Sequence, residues 1–157
     1  KGLKMIAYLS GPIENAHNDG ADWRILITEW LRKNLNHDVF NPVLETKDII
    51  KNHADDDFRA MKVENPTEYK NIIRKIIKLD LNAVVHQVDY LIVKWDKSVF
   101  KGGGTHGEVT LAYWLGKPVY LINDLPIDDL SSWIFSCSEE TFSDLADLKK
   151  RLIEIYS

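Results

Sequence analysis

The chain has little of what marks secreted, metal-binding or membrane proteins. Among its 157 residues there is one cysteine, Cys137, which excludes an internal disulfide and a multi-cysteine metal site and favours a reducing compartment. No stretch reaches the roughly 18 apolar residues that a membrane helix needs, and the N-terminus lacks a signal-peptide pattern. These absences predict a cytoplasmic protein with no membrane partner.

The chain also lacks an excess of positive charge. It has 20 Lys and Arg against 24 Asp and Glu, a net charge of −4, so a nucleic acid polymer is not expected as a partner, whereas a small nucleotide is compatible. Neither GxGxxG nor GxxxxGK[ST] occurs, so neither a dinucleotide fingerprint nor a P-loop can be claimed. The five histidines show no metal-ligand spacing, and neither a metal nor a cofactor is predicted.

What the sequence does contain is an alternation of short apolar runs with helical stretches. Its length and its 45% hydrophobic content suit one globular domain, predicted to span 1–157. The alternation predicts an α/β fold of three layers, α/β/α, with a flavodoxin-like or Rossmann-like parallel sheet of about five strands. The predicted strands are 3–10, 39–41, 90–94, 119–122 and a short fifth at 133–136; the predicted helices are 21–35, 66 towards 89, 105–115 and 143–156.

Two parts of the chain have less regular patterns. Residues 46–62 are polar, contain the acidic run Asp55-Asp56-Asp57 and have weak helical periodicity, so they are predicted to form a helical excursion or a mobile flap. The terminal helix is predicted to begin with Ser143 as its cap. Its inner stripe is predicted to be Leu145, Leu148, Leu152 and Ile155.

The strongest functional pattern lies in residues 90–119, which hold a strand, a glycine loop and a helix. Glu108 follows the three glycines 102–104, which let the backbone approach a ligand closely, and Thr105 is predicted to cap the helix. The dipole of the helix would favour the ionised form of a carboxyl in the first turn, so Glu108 could act as a nucleophile. The alternative is a purely structural capping box of Thr105 with Glu108.

Other polar residues lie near the edge of the sheet where α/β proteins bind ligands. Ser10 and Gly11 end the first strand, Asp96 and Ser98 follow the third, and Asp80 lies in the preceding helix. Two carboxyl groups in one pocket can act as nucleophile and acid if their surroundings separate their pKa values. The two serines and the glycine loop could also cradle a phosphate, although loop serines are more often ordinary turn residues.

An ordered set of motifs resembles the nucleoside 2-deoxyribosyltransferase family, whose superfamily includes nucleoside 5′-monophosphate N-glycosidases. The similarity extends over nearly the whole chain, is weakest over 48–62, and includes Ser131-Ser132-Trp133, similar to a segment that the family lends to a neighbouring subunit's site. The motifs are Tyr8-Leu9-Ser10-Gly11-Pro12, Asp80-Leu81-Asn82-Ala83-Val84 and Gly104-Thr105-His106-Gly107-Glu108, followed by Ala112 and Gly116-Lys117-Pro118-Val119.

The resemblance implies a role for individual residues. Glu108 matches the nucleophile that attacks the anomeric carbon of the sugar, Tyr8 matches the tyrosine that steadies this carboxylate, and Asp80 matches the aspartate that handles the departing base. A base-binding aspartate of the family, a few residues before the nucleophile, falls on Gly102 here. Asp96 is the candidate to replace it.

The implied activity is cleavage or transfer at the N-glycosidic bond of a (deoxy)nucleoside or nucleoside monophosphate, without a cofactor, in a homodimer or larger homo-oligomer with a shared site. Water would make the enzyme a hydrolase and a second base a transferase, and the residues do not decide between them. A non-catalytic nucleotide-binding or sensing domain on the same fold is the alternative; a DNA base glycosylase ranks last because a basic surface is lacking. The substrate-binding candidates are Ser10, Gly11, Asp96, Ser98, Gly104, Thr105, Ser132 and Trp133.

Overall fold

The central feature of the fold is a parallel sheet whose strand order places a ligand-binding crevice beside the first strand. The computed structural model describes residues 3–13, 21–53, 58–100 and 102–157. The strand order β2-β1-β3-β4-β5 is the flavodoxin-like order, in which ligands bind beyond the carboxyl ends of β1 and β3. The strands are β1 (Ile6–Ser10), β2 (Asp38–Phe40), β3 (Tyr90–Trp95), β4 (Val119–Asn123) and β5 (Glu140–Phe142), each parallel to its neighbours.

Helices cover both faces of this sheet. The helices are α1 (Ala21–Leu35), α2 (Pro42–Glu45), α3 (Lys47–His53), α4 (Met61–Glu64), α5 (Pro66–His86), α6 (Gly104–Trp114), α7 (Ser132–Cys137) and α8 (Leu145–Tyr156). The first and the last pack on one face, and α5, α6 and α7 on the other. The predicted three-layer fold is therefore confirmed. Within the described residues no helix has the length and apolarity that crossing a membrane requires.

Alternate side chains of the strands supply the two cores. Tyr8 and Leu91 belong to the core under α5 and α6, whereas Ala7, Leu9 and Ile92 belong to the core under α1 and α8. Successive residues of a strand point to opposite faces, so a sheet covered on both faces needs the near-continuous apolar runs seen in the sequence. The same alternation places Tyr8 and Ser10 on one face.

The predicted strand at 133–136 is wrong, because these residues belong to α7, and the fifth strand is β5. The hydroxyl of Ser131 accepts a hydrogen bond from the amide of Ile134, at 3.3 Å. A serine cap of this kind satisfies a free amide in the first turn and favours a helix there.

The terminal helix also differs in detail from the prediction. Asp144 caps α8 instead of Ser143, because the carboxylate of Asp144 accepts from the amide of Asp147 at 2.8 Å. Ile155 is 38% exposed, and Tyr156 takes its place on the inner side. Tyr156 lies four residues after the buried Leu152, which matches the helical period better than Ile155 does.

The described parts of the segment 46–62, residues 46–53 and 58–62, are mainly helical and pack on α5. Phe58 begins a short 3-10 turn and joins two buried residues of α5, Tyr69 and Ile72, in a small apolar cluster. The predicted start of α5 at Pro66 is correct, and Asn65 caps it through the amide of Glu68, at 3.3 Å. The acidic run at 55–57 lies outside the described residues, as do positions 14–20 of the predicted loop before α1.

Candidate active site

Glu108 lies in the second turn of α6 and is buried against the carboxyl end of β1. Its carboxylate accepts hydrogen bonds from the hydroxyl of Tyr8 and from the hydroxyl of Ser10, the latter at 2.7 Å. The capping-box interpretation is therefore wrong. The cap of α6 is Gly103, which makes no side-chain cap bond, and Thr105 lies inside the helix.

The helix-dipole argument for a low pKa of Glu108 is also wrong in direction. Burial raises the pKa of Glu108, because the ionised form loses its hydration. The hydrogen bonds from Tyr8 and Ser10 and the positive charge of Arg24 act in the opposite direction and favour the carboxylate. The ionised form therefore depends on these three neighbours, and the free amides of the first helical turn do not supply it.

Asp80 is the second buried carboxyl of the site, and it lies on the buried face of α5. Its Oδ1 has no hydrogen-bond partner among the described residues. Burial and the negative charge of Glu108 raise the pKa of Asp80 to about 8, although Arg24 acts to lower it. The two hydroxyl donors of Glu108 favour its ionised form, whereas burial and the negative charge of Glu108 favour the protonated form of Asp80.

Tyr8 is a fixed hydrogen-bond donor in this group. Its ring is buried and stacks on that of Phe40, with 5.2 Å between the centroids. Burial and the charges of Glu108 and Asp80 raise the pKa of Tyr8 well above its ordinary value. The phenol therefore keeps its proton and donates it in a hydrogen bond to the carboxylate.

Arg24 completes the group, and the sequence interpretation missed it. This residue of α1 is fully buried; its Nε donates to the carbonyl of Leu9 at 3.1 Å and its Nη2 to the carbonyl of Gly11 at 2.9 Å. Burial lowers the pKa of Arg24 to about 10, so it stays charged at neutral pH. The sequence contained a signal of its burial, because Arg24 precedes Ile27 and Leu31 at helical spacing in the apolar stripe of α1.

Gly11 lies at the end of β1, where other residues of the protein fill the space beside it. A Cβ at this position would come within 3.1 Å of the Trp23 ring and 3.3 Å of the carbonyl oxygen of Lys94. Its own carbonyl accepts from Arg24. The close packing of α1 and β3 at this point therefore favours glycine, and the substrate contact of Gly11 stays a prediction.

Asp96 and Ser98 meet each other directly after β3. The carboxylate of Asp96 accepts a hydrogen bond from the amide of Ser98 at 2.8 Å, which closes a turn. Gly104 and Thr105 form the first turn of α6. A Cβ added at any of the glycines 102–104 would meet no atom of the described residues within 4 Å, apart from its own chain neighbours. Among the residues that the structure describes, none packs against these glycines.

Ser132 and Trp133 open α7 and lie on the other side of α6. The indole Nε1 of Trp133 donates to the hydroxyl of Thr110 at 3.0 Å. Trp133, Thr110, His106 and Trp114 line an apolar groove of about 660 Å³. Positions 106, 110 and 114 share one face of a helix, and Glu108 points to the opposite face. Within one chain, Ser132 and Trp133 therefore lie on the side of α6 away from the carboxylate of Glu108.

The remaining candidates for metal or thiol chemistry are sparse. Within the described ranges no three His, Cys, Asp or Glu side chains cluster closely enough to hold a metal ion. Cys137 is buried beside Ile134 in the core under α6, and burial raises the pKa of its thiol. A thiol of this kind is a poor nucleophile and serves packing.

Solved structures share this fold. No protein-family model matches the chain, and no curated protein matches it significantly. A 2-deoxyribosyltransferase from Bacillus psychrosaccharolyticus is 22% identical with a TM-score of 0.60, over 92% of this chain and 90% of that one. A 2-deoxyribosyltransferase from Leishmania mexicana is 15% identical with a TM-score of 0.58 (98% and 99%), and a conserved protein from Enterococcus faecalis V583 is 16% identical with a TM-score of 0.62 (98% and 99%).

Proposed function

We propose that this protein is a member of the nucleoside 2-deoxyribosyltransferase family that breaks the N-glycosidic bond of a (deoxy)nucleoside or nucleoside monophosphate. The observation that carries the proposal is the pair of buried carboxyls, Glu108 held by two hydroxyl donors and Asp80 with a pKa raised to about 8. The position of Glu108 against the carboxyl end of β1 supports it, because such folds bind ligands at this switch point of the sheet. The fold shared with two 2-deoxyribosyltransferases also supports it.

In the proposed reaction the carboxylate of Glu108 attacks the anomeric carbon of the sugar and forms a glycosyl ester. The bond from that carbon to the base nitrogen breaks, its electron pair stays on the base, and Asp80 donates its proton to the departing base. Water or a second base then attacks the same carbon and displaces Glu108, and the proton of the incoming group returns to Asp80. Two displacements retain the configuration of the sugar.

Tyr8 and Ser10 have an orienting role in this scheme. Each donates to a different oxygen of Glu108, so they fix the plane of the carboxylate. Each oxygen keeps a further lone pair for the attack. The same bonds stabilise Glu108 as the leaving group in the second displacement, because they favour its ionised form.

We assign substrate binding to the open side of the site, along the glycine loop before Glu108. The open space in front of the glycines 102–104 leaves room for a sugar or a phosphate close to the backbone. Asp96 is the candidate for base recognition, in the place of the family aspartate that falls on Gly102. Ser98, in the turn after β3, and Gly104 and Thr105, in the first turn of α6, are the further candidates for substrate binding. The choice of base and the need for a 5′-phosphate are decided there.

We further propose a homodimer or larger homo-oligomer in which Ser132 and Trp133 complete the site of a neighbouring subunit. Tyr113 is 57% exposed, Trp114 83% and Trp133 66%. Tyr113 and Trp114 therefore do not pack inside the monomer. Trp114 and Trp133 line one groove, and large exposed aromatic side chains of this kind suit burial by a symmetric partner.

The test is a panel of nucleosides and nucleoside monophosphates with and without an acceptor base, with the free base followed by chromatography. Samples quenched in acid should carry the sugar on the peptide that contains Glu108, measured by mass spectrometry. Glu108→Gln should abolish both signals, whereas the exposed Glu29→Gln should change neither. Binding of nucleotides without base release would favour the sensing domain, and wild-type turnover of Glu108→Gln would exclude the mechanism.

Glutamine is a better substitute than alanine because Glu108 is buried. Alanine would leave a cavity and two hydroxyl groups, those of Tyr8 and Ser10, without their acceptor. An unsatisfied buried polar group costs about 1–3 kcal/mol. Loss of activity in Glu108→Ala could therefore arise from misfolding, whereas glutamine keeps the volume of the side chain.

A further inference from the structure

We propose that Arg24 is a positioning residue of this site: its buried guanidinium clamps the end of β1 and supplies the fixed positive charge beside which Glu108 and Asp80 divide their roles. The inference rests on the proposed function and extends it to a residue outside the motifs that suggested that function. It concerns how this chain positions Glu108 and favours its ionised form. Arg24 itself need not touch the substrate.

The first support is the placement of the two hydrogen bonds. Arg24 binds the carbonyls of Leu9 and Gly11, at 3.1 and 2.9 Å, which lie on either side of Ser10. The hydroxyl of Ser10 in turn donates to Glu108 at 2.7 Å. The guanidinium therefore fixes the backbone from which a direct partner of the nucleophile projects.

The second support is the free-energy cost of burying a charged side chain at position 24. Arg24 is fully buried and lies in the stripe of α1 that also contains Ile27 and Leu31. Burying a charged group is unfavourable, and an apolar residue of similar volume is often as stable or more stable at such a position. Packing alone would therefore not require an arginine here.

The third support is the set of groups that face the guanidinium. Glu108 from α6, Tyr8 from β1 and Asp80 from α5 all act on Arg24 electrostatically, and the indole of Trp23 lies 4.9 Å from its carbon Cζ. Arg24 in turn lowers the pKa of all three of these ionisable groups. A single cation thus acts on the proposed nucleophile, its tyrosine and the proposed acid together.

The effect on activity has a definite sign. Without the positive charge the pKa of Glu108 rises, so the nucleophile ionises only at higher pH and the acid limb of the profile of kcat/KM moves up. The pKa of Asp80 rises as well, so the acid keeps its proton longer and the basic limb also moves up. An opposite charge nearby typically changes a carboxyl pKa by about 1–3 units, and we expect both limbs to move by about one pH unit.

The experiment compares Arg24→Gln, which removes the charge but keeps a hydrogen-bond donor, with Arg24→Lys, which keeps the charge. Profiles of kcat/KM against pH should move upward for glutamine and stay within a few tenths of a unit of wild type for lysine, with a reduced kcat in both. Ile27→Ala is the matched control, since it weakens the same helix face without a change of charge. It should lower the midpoint of thermal unfolding and leave both limbs in place.

An unmoved profile for Arg24→Gln, or an equal shift for Arg24→Lys, would overturn the proposal and leave Arg24 a structural residue. If Arg24→Gln does not fold, Arg24→Met replaces it, because methionine needs no hydrogen-bond partner. Carboxyl titration by NMR in the same proteins separates this inference from the proposed function. Absence of base release by the wild-type protein would refute the function, whereas the titrations of Glu108 and Asp80 would still have to move upward in the glutamine variant.

Discussion

Replacement of Asp80 by asparagine separates the proposed acid from a merely buried polar residue. Asparagine has nearly the same volume, so the packing of α5 is kept, but its amide cannot transfer a proton at neutral pH. In the proposed reaction the base departs poorly as an anion and well once it is protonated. We therefore expect Asp80→Asn to slow the first displacement, in which the base departs, while leaving Glu108 and its hydroxyl donors in place.

The structure sets the size of this effect. A pKa of about 8 means that Asp80 carries its proton in about nine-tenths of the molecules at pH 7. Loss of a general acid typically lowers the rate by about 10²–10⁴-fold. We expect a loss of this size for natural nucleosides and a loss of less than about tenfold for a deoxyriboside with an activated leaving group, which needs no proton.

The pH profile gives a second measure of the same residue. The wild-type rate should fall as the pH rises through about 8, where Asp80 loses its proton. In Asp80→Asn this limb should be absent. The acid limb, which reports the ionisation of Glu108, should stay in place, because Asp80 is protonated in that pH range and its replacement removes no charge there.

Asp80→Asn should stabilise the folded protein at alkaline pH, although it lowers the activity. Asp80 has a pKa of about 8 in the folded protein against an ordinary value of 3.8, so its contribution is fully present below pH 3.8 and is lost as the pH rises through about 8. The gap corresponds to at most about 6 kcal/mol, at about 1.4 kcal/mol per pKa unit. Asp80→Asn removes this dependence, and the variant should unfold at higher temperature than the wild type at pH 8 to 9.

The assay follows base release from both kinds of substrate at pH 5 to 10, with thermal unfolding measured in the same buffers. Glu139→Gln is a control that removes a negative charge at a site distant in sequence from these residues, as Asp80→Asn does above about pH 8. An equal loss for natural and activated substrates would assign Asp80 to structure. A basic limb that persists in Asp80→Asn would assign that ionisation to another group.

Two further predictions concern Tyr8, a hydrogen-bond donor to Glu108, and the shared site. Tyr8→Phe keeps the stacking on Phe40 but removes a donor, so the pKa of Glu108 should rise and the acid limb of kcat/KM should move up. The value of kcat should fall by about tenfold if the lost bond favours the ionised form by about 1.4 kcal/mol, and an unchanged acid limb would contradict this role. For the shared site, inactive Glu108→Gln and inactive Trp133→Ala chains that are mixed and reassembled should recover part of the activity, because some hybrid sites carry neither substitution; sedimentation of an active monomer at assay concentration would exclude sharing.

Much of the fold could be predicted because its signals are local. The apolar runs of β1, β3 and β4 and the start of α5 at Pro66 follow from side chains close together in sequence. The prediction of a fifth strand at 133–136 was wrong because local signals alone did not decide it: this apolar pattern fits either a strand or a buried helix. The hydroxyl of Ser131 settles the choice by capping α7, and a serine before an apolar run is too common in loops to decide it from sequence.

The site was less accessible from the sequence because its contacts join distant parts of the chain. Glu108 meets Tyr8, which is 100 residues away, and its burial depends on how α6 docks against β1. Position near a helix start indicated a low pKa, but burial dominates once α6 is packed. Arg24 was missed because its partners are backbone carbonyls, which leave no trace in residue types.

The division of labour between the two carboxyls is itself a product of folding. An isolated glutamate has the higher ordinary pKa, 4.5 against 3.8 for aspartate, so in the unfolded chain Glu108 would hold a proton more readily than Asp80. Folding buries both groups but gives the hydroxyl donors of β1 to Glu108 alone, while Oδ1 of Asp80 stays without a partner among the described residues. In the proposed scheme this difference reverses the order of the two pKa values and places the proton on the side chain that donates it. Since β1, α1, α5 and α6 each supply one part of this arrangement, a nucleophile and an acid exist together only when the layers of the fold are assembled.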